Sequence, residues 1–386
     1  MIITYNKFPD GDAGAIRQYT FGQVFKECGY NTFFIGMGKS TGLKTKIYNG
    51  FNYISLRLDS SGTLNKLRNY FGYKKRLKKA LEEYTDEKGS IDVLLVIDIP
   101  IDALFFIKKY AKINKIQLIH DSVEWYSPEQ FKLGKLAIPY ILKNYMNKVW
   151  INKQFKVIAI SKFLKNHFIN RGINTIRIPV MLDIKNTAHN KQLKNEKLTI
   201  VYAGSPGKKD YLKEIIDGLA LLTSEELSKI EFRIIGSTKE QIITDTGIER
   251  QVIDNMGESV KILGRVSRDT VLQNLEQANF TVLMRSPIQR YAKAGFPTKV
   301  VESLASGTPI ILNLTSDLDN YITDMVNSII IEACDAQGFS TAVKKALNLT
   351  HEQWIQMSIK ARECADRYFD YRNYIKEIKE FLGEEV

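Results

Sequence analysis

The sequence predicts an α/β protein built from two Rossmann-like β/α/β domains in tandem. Three observations carry that prediction. Short β-branched runs alternate with helix-length segments along the 386 residues. The alternation restarts after one polar, weakly patterned stretch, DIKNTAHNKQLKNEK (183–197). The length suits two domains at roughly 150 residues each.

In the first series the strands are expected at 1–5, 31–36, 53–58, 91–97, 115–120 and 156–161. Helices are expected at 14–29, 62–84, 101–113, 136–153 and 162–170. The second series places strands at 198–204, 231–236, 260–264, 280–285, 309–313 and 328–332. Its helices fall at 207–222, 239–255, 267–278, 297–306 and 338–347, and the tail 351–384 is helical. Apolar runs such as VLLVI (93–97), separated by helices, are the pattern of parallel strands covered on both faces. The expected domains are 1–185 and 195–365, followed by a terminal helix over 366–386. Two such halves facing each other leave a crevice at the carboxyl ends of their strands, where ligands of this architecture bind.

The charge is uneven. The chain has 55 Lys and Arg against 43 Asp and Glu, a formal +12. Residues 1–185 hold 30 of the basic and 15 of the acidic side chains, a net +15, so the remainder is close to neutral at −3. An excess confined to one half points to an anionic partner for that half. Its focus is LNKLRNYFGYKKRLKKA (64–80), with seven basic side chains, none acidic, and interleaved Leu, Tyr and Phe. On a helix this pattern reads as a membrane-surface element, and a solvated lysine-rich helix is the plainer alternative. Segment 132–156 adds further lysines around LAIPYIL and VWI. No nucleic-acid motif accompanies the basic residues, so no nucleic acid is expected as a partner.

Cys28, Cys334 and Cys364 are odd in number and far apart. They make neither a disulfide framework nor a metal cluster, which fits a reducing cytosol. The opening MIITYNKFPDGDAG lacks the pattern of a signal peptide, and no apolar run approaches the roughly 20 residues of a membrane span.

Three segments carry chemistry. After the first strand, Gly11 and Gly14 lie in a loop of small residues that can aim a helix N-terminus at an anion; an ordinary tight turn is the alternative. The neighbouring Asp10 and Asp12 read as a solvated loop rather than a metal site. After the strand at 198–204, Gly204, Gly207, Lys208 and Lys209 combine backbone amides with ammonium groups, as a diphosphate requires; a solvated lysine pair is the alternative. In LMRSPIQRYAKAGFPTKVVESLASGTPIILN (283–313), Arg285, Arg290 and Lys299 can neutralise phosphate, and Glu302 can accept hydrogen bonds from ribose hydroxyls. Lys299 and Glu302 are three apart on one helical face, so an intrahelical ion pair is the competing reading.

The ordered set AISKFLKN (159–166), IPVMLD (178–183), YAGSPGKKDYLKEIIDGLALL (202–222), ILGRVSRDTVLQNLEQANFTVL (262–283) and FPTKVVESLASGTPII (296–311) resembles retaining GT-B glycosyltransferases of the broad family-four, group 1 type. The resemblance implies a first domain that binds the acceptor and a second that binds a nucleoside-diphosphate sugar. The terminal helix is expected to pack back on the first domain. Glu302 matches the ribose-binding glutamate, Lys208 or Lys209 the diphosphate lysine, and Gly204 the preceding glycine. Gly14, Ser205, Gly207, Arg285, Arg290, Gly295, Phe296, Pro297, Thr298 and Lys299 complete the expected donor site. A sugar-contacting residue is implied near the strand end at 120, which makes His120 and Asp121 catalytic candidates beside Lys209 and Arg285; a core histidine satisfied by its neighbours is the alternative. Glu124, Trp125 and Tyr126 suit an acceptor, because aromatic faces stack on sugar rings; a packed loop is the alternative. Three positions depart from the family pattern. Ala294 stands where a second acid is usual, Pro297 removes a loop N–H, and Ser205 replaces an arginine.

The expected activity is transfer of a sugar, with retention, to a lipid-linked or glycan acceptor in cell-surface glycan synthesis. It would take place in the cytoplasm, at the inner membrane face. Lys209, Arg285 and the Gly204–Gly207 amides would stabilise the leaving diphosphate, with no metal and no other cofactor. A sugar-nucleotide epimerase and a non-catalytic nucleotide-sugar-binding protein are the alternatives.

Overall fold

The computed structural model describes residues 1–9, 13–58, 63–189, 196–204 and 209–384. They form two compact units. The first comprises Met1–Trp125, Ile138–Leu182 and the chain from Tyr371 on; the second comprises Tyr126–Ala137 and Asp183–Asp370. A short excursion of the first half, 126–137, therefore belongs to the second unit.

The sheet of the first unit has eight strands: β1 (Ile2–Thr4), β2 (Phe33–Gly36), β3 (Lys46–Tyr48), β4 (Phe51–Ser55), β5 (Val93–Ile97), β6 (Gln117–Ser122), β7 (Lys156–Ala159) and β8 (Thr175–Arg177). Their order is β3-β4-β2-β1-β5-β6-β7-β8. Seven run parallel, and β3 pairs antiparallel with β4 through Lys46–Tyr53 and Tyr48–Phe51. Strands β3 and β8 were not expected from the sequence, because each is three residues long and partly polar. Central β5 is buried throughout, which is why it reads as an unbroken apolar run. One core joins Ile2, Phe21, Phe34 and Leu95 to Ile378, Phe381 and Leu382 of the terminal helix Ile375–Leu382.

The basic segment forms two helices, Thr63–Phe71 and Tyr73–Lys88, rather than one. The apolar stripe read across it divides. Tyr73 and Leu77 are fully buried, and the Tyr73 hydroxyl donates to the Thr4 carbonyl at 3.0 Å. Leu67 and Phe71 point outward and are 50% and 73% exposed. Arg76 also turns inward, donating to the carbonyls of Leu56 and Asn69 at 2.7 and 2.8 Å. The inward half of the stripe is thus a core face, the ordinary use of an amphipathic helix.

The second unit has the six strands expected: β9 (Leu198–Ala203), β10 (Ile230–Ile235), β11 (Val260–Gly264), β12 (Phe280–Leu283), β13 (Ile310–Leu312) and β14 (Ser328–Ile330). All pairings are parallel, in the order β11-β10-β9-β12-β13-β14. The helix expected over 239–255 is two, Lys239–Thr246 and Arg250–Asn255. Gly247, in the left-handed region at φ 70°, caps the first. The start of the polar stretch is anchored to this unit, where Arg362 donates to the carbonyls of Ile184, Thr187 and Ala305 at 2.7, 3.1 and 2.6 Å.

Candidate active site

The carboxyl ends of β9 and β12 converge on one ion cluster in the second unit. Past β12 the chain runs to Arg285, and the returning segment at Asp210 pairs with it as an antiparallel bridge. Asp210 is buried, with its side chain 2% exposed. Its Oδ1 accepts from Arg285 Nε at 2.7 Å. Its Oδ2 accepts from Lys299 Nζ at 2.5 Å and from the Tyr202 hydroxyl at 2.8 Å. Burial alone would raise the Asp210 carboxyl, but Lys299 and Arg285 outweigh it and hold the group down at about 2. Burial lowers Lys299, while Asp210 works to keep it charged. Lys299 also lies over the Tyr202 ring, 4.4 Å from its centroid.

Gly204 leaves room for this arrangement. Its φ of 138° favours glycine, and a Cβ there would come within 2.6 Å of Lys299 Cε and Nζ. Asn313 clasps the Arg285 backbone, accepting from its N–H at 2.9 Å and donating to its carbonyl at 2.8 Å.

Lys299 and Glu302 do not pair with each other. Lys299 goes to Asp210, and Glu302 Oε1 accepts from Arg268 Nη2 at 2.5 Å. Both lie on the helix Thr298–Ala305, which opens at Pro297 without a side-chain cap. Arg290 donates to the Tyr126 carbonyl, from Nε at 2.9 Å. Lys209 lies 6.0 Å from the Tyr126 ring centroid, and its carbonyl accepts from the Tyr291 hydroxyl at 2.9 Å. Gly295 ends the short helix Arg290–Ala294 in extended backbone. Phe296 turns its ring inward against Tyr321 and Phe369, at 5.7 and 5.8 Å. Ser205, Gly207 and Lys208, together with Asp10, Gly11 and Asp12 of the first loop, lie outside the described residues. Gly14 is the second residue of the helix Ala13–Glu27.

In the first unit the structure places the two catalytic candidates, His120 and Asp121, inside the sheet. β6 continues to Ser122, so His120 and Asp121 sit within the strand rather than at its end. His120 is 1% exposed; burial, helped by Lys143 and opposed by Asp98, lowers it to about 4. Asp121 is fully buried, and both its oxygens accept from Arg17, at 2.8 and 2.7 Å. The same guanidinium donates to the Ile178 and Pro179 carbonyls, so this pair ties β6 to the helix Ala13–Glu27.

Trp125 is likewise part of the packing. It is 5% exposed, donates to Asn144 Oδ1 at 2.6 Å, and its ring lies 4.5 Å from that of His167. Glu124 is half-buried beside it.

Sequence reasoning missed Asp210 and the ion pair of Lys143 with Asp98. Asp210 directly follows Lys208-Lys209, so its charge was legible as a break in a basic run. Asp98 follows β5 with a left-handed φ of 46°, a strained position that no sequence pattern marks. Among the described residues no group of three or more His, Cys, Asp or Glu could hold a metal ion, and no helix is long and apolar enough to cross a membrane.

Residues 183–363 match the family described as glycosyl transferases group 1. No curated protein matches the chain's sequence. Among solved structures, the fold is similar to a sucrose-phosphate synthase from Thermosynechococcus elongatus, with a TM-score of 0.76 at 13% identity, covering 99% of this chain and 98% of that one. It is also similar to HepE of Anabaena in complex with UDP and glucose, with a TM-score of 0.70 at 15% identity over 99% and 98% of the two chains. An Escherichia coli protein titled trehalose-6-phosphate, bound with UDP-2-fluoro glucose, gives a TM-score of 0.70 at 11% identity over 100% and 99%. Residues 183–363 thus carry the match to group 1 glycosyl transferases, on a chain whose fold is that of GT-B glycosyltransferases.

Proposed function

We propose that the chain is a retaining enzyme that moves a sugar from a nucleoside-diphosphate sugar to a lipid-linked or glycan acceptor in cell-surface glycan synthesis. The observation that carries this reading is the gathering of Gly204, Arg285 and Lys299 at the ends of β9 and β12, with Glu302 one helical turn beyond Lys299. One carboxylate against two cations leaves a net positive charge. A departing diphosphate needs that charge in its transition state. Lys209 adds to it, so the charge balance requires no metal. Glu302 receives the ribose hydroxyls. Retention follows from the family resemblance: the leaving diphosphate takes the acceptor's proton on the face it departs from. That HepE was solved with UDP-glucose supports a nucleotide-sugar donor here.

The acceptor's lipid is met by the outward side of the basic helices. Leu67 and Phe71 are exposed, as are Lys74, Lys75, Lys78 and Lys79. An apolar pair beside a cationic face suits peripheral contact with an anionic membrane, at its cytoplasmic side.

A thermal-shift screen of UDP-, GDP-, ADP- and dTDP-sugars tests the donor. The matching nucleotide sugar at 100 times its Kd stabilises the fold by about 2.7 kcal/mol. NMR of the product's anomeric configuration then tests retention. If no nucleotide sugar stabilises the protein, the reading fails.

A further inference from the structure

We propose that Asp210 is the positioning residue of the donor's diphosphate site, holding Arg285 and Lys299 side by side so that both cations meet the leaving group. This rests on the donor reading above and adds to it the group that makes the clamp possible.

Two cations next to each other repel, and burial penalises both. A carboxylate beneath them removes the conflict. The Asp210 side chain is 2% exposed, while those of Arg285 and Lys299 are 19% and 25% exposed. The acid is thus the floor, and the cations keep part of their surface open to solvent. Each oxygen of Asp210 binds one cation, so the two are held by a single rigid group. The Tyr202 hydroxyl donates to the same oxygen as Lys299, which completes the carboxylate's hydrogen bonds from below. Asn313 fixes the Arg285 backbone, and the bare Cα of Gly204 makes room for Lys299. Every element of the cluster is therefore held before a ligand arrives, the condition under which charges stabilise a transition state most effectively. A buried ion cluster is weak evidence of stability, because a well-packed apolar group of similar volume often does as well. Its placement at the strand ends gives it another use.

The test uses the full chain, inorganic pyrophosphate, the nucleotide sugar chosen by the donor screen, and that donor's nucleoside. Asp210→Asn keeps the shape and removes the charge. Half-buried Lys299 then lacks its counterion and loses its proton at lower pH. Pyrophosphate affinity is expected to fall about 10- to 100-fold at pH 8 to 9 and to recover in part towards pH 6. Nucleoside affinity is expected to stay at the wild-type value. Asp210→Glu keeps the charge but misplaces it, so affinity falls while the pH profile stays that of the wild type; this variant also serves if Asp210→Asn does not fold. Equal losses for pyrophosphate and nucleoside, or a wild-type pH profile in Asp210→Asn, overturn the positioning role and leave the donor reading standing. Failure of the wild type to bind either pyrophosphate or any nucleotide sugar overturns the donor reading itself.

Discussion

Arg268 holds Glu302 from the first turn of a neighbouring helix, with Nη2 2.5 Å from Oε1. The Glu302 side chain is only 11% exposed, so the arginine fixes its direction. Removing the carboxylate should cost about 1.5–3 kcal/mol of donor binding, the worth of hydrogen bonds to a charged group. Glu302→Ala is therefore expected to raise the donor KM about 10- to 100-fold. Steady-state kinetics with the screened donor check this, and an unchanged KM would remove Glu302 from the site.

Gly204→Ala is expected to weaken donor binding more than folding. Its Cβ would displace the end of Lys299, and the backbone angle strains any other residue. Donor titration beside thermal unfolding separates the two effects. A large fall in Tm with normal donor affinity would contradict the role given to Lys299.

His120 makes stability depend on pH. In the unfolded chain its imidazole takes up a proton near 6.5, and in the folded protein only near 4. Unfolding therefore binds a proton between those values. Stability is complete above pH 6.5 and falls by about 3 kcal/mol as pH drops to 4. His120→Gln should flatten that slope in urea titrations run from pH 7 to 4. An unchanged slope would show that another group carries it.

Trp125 is a packing residue, so Trp125→Ala should cost about 3–5 kcal/mol of stability. Trp125→Phe should keep the acceptor KM near the wild-type value. A selective rise in acceptor KM in the phenylalanine variant would restore the acceptor role that its position suggested.

The membrane reading makes its own demand. Each lysine near an anionic surface contributes about 1 kcal/mol, so Lys74→Ser with Lys75→Ser should weaken binding to phosphatidylserine vesicles roughly 30-fold. Phe71→Ser should weaken it further at high salt, where the apolar contribution remains. Co-sedimentation that is equal for all variants would end this proposal.

Much of the architecture was legible because burial writes it into composition. Both parallel sheets appear as β-branched runs, since strands covered on two faces exclude polar residues. What escaped were the short elements β3 and β8, whose pairing depends on neighbours rather than on their own pattern. Lys299 and Glu302 were legible too, through their place on one helix near the end of a strand.

Partnership was not legible. Lys299 to Asp210 and Glu302 to Arg268 are contacts across 89 and 34 residues of chain. A helical spacing of three left pairing of Lys299 with Glu302 as the competing reading, and the packed structure gives each another partner. His120, Asp121 and Trp125 show the same limit. Their residue types suit chemistry, but β6 runs two residues further than its apolar pattern and carries two of them into the core. Sequence periodicity settles which face of an element is buried. How far an element extends, and which charges meet at its end, depends on tertiary packing, because ion pairs and strand ends are decided by what lies beside them in space.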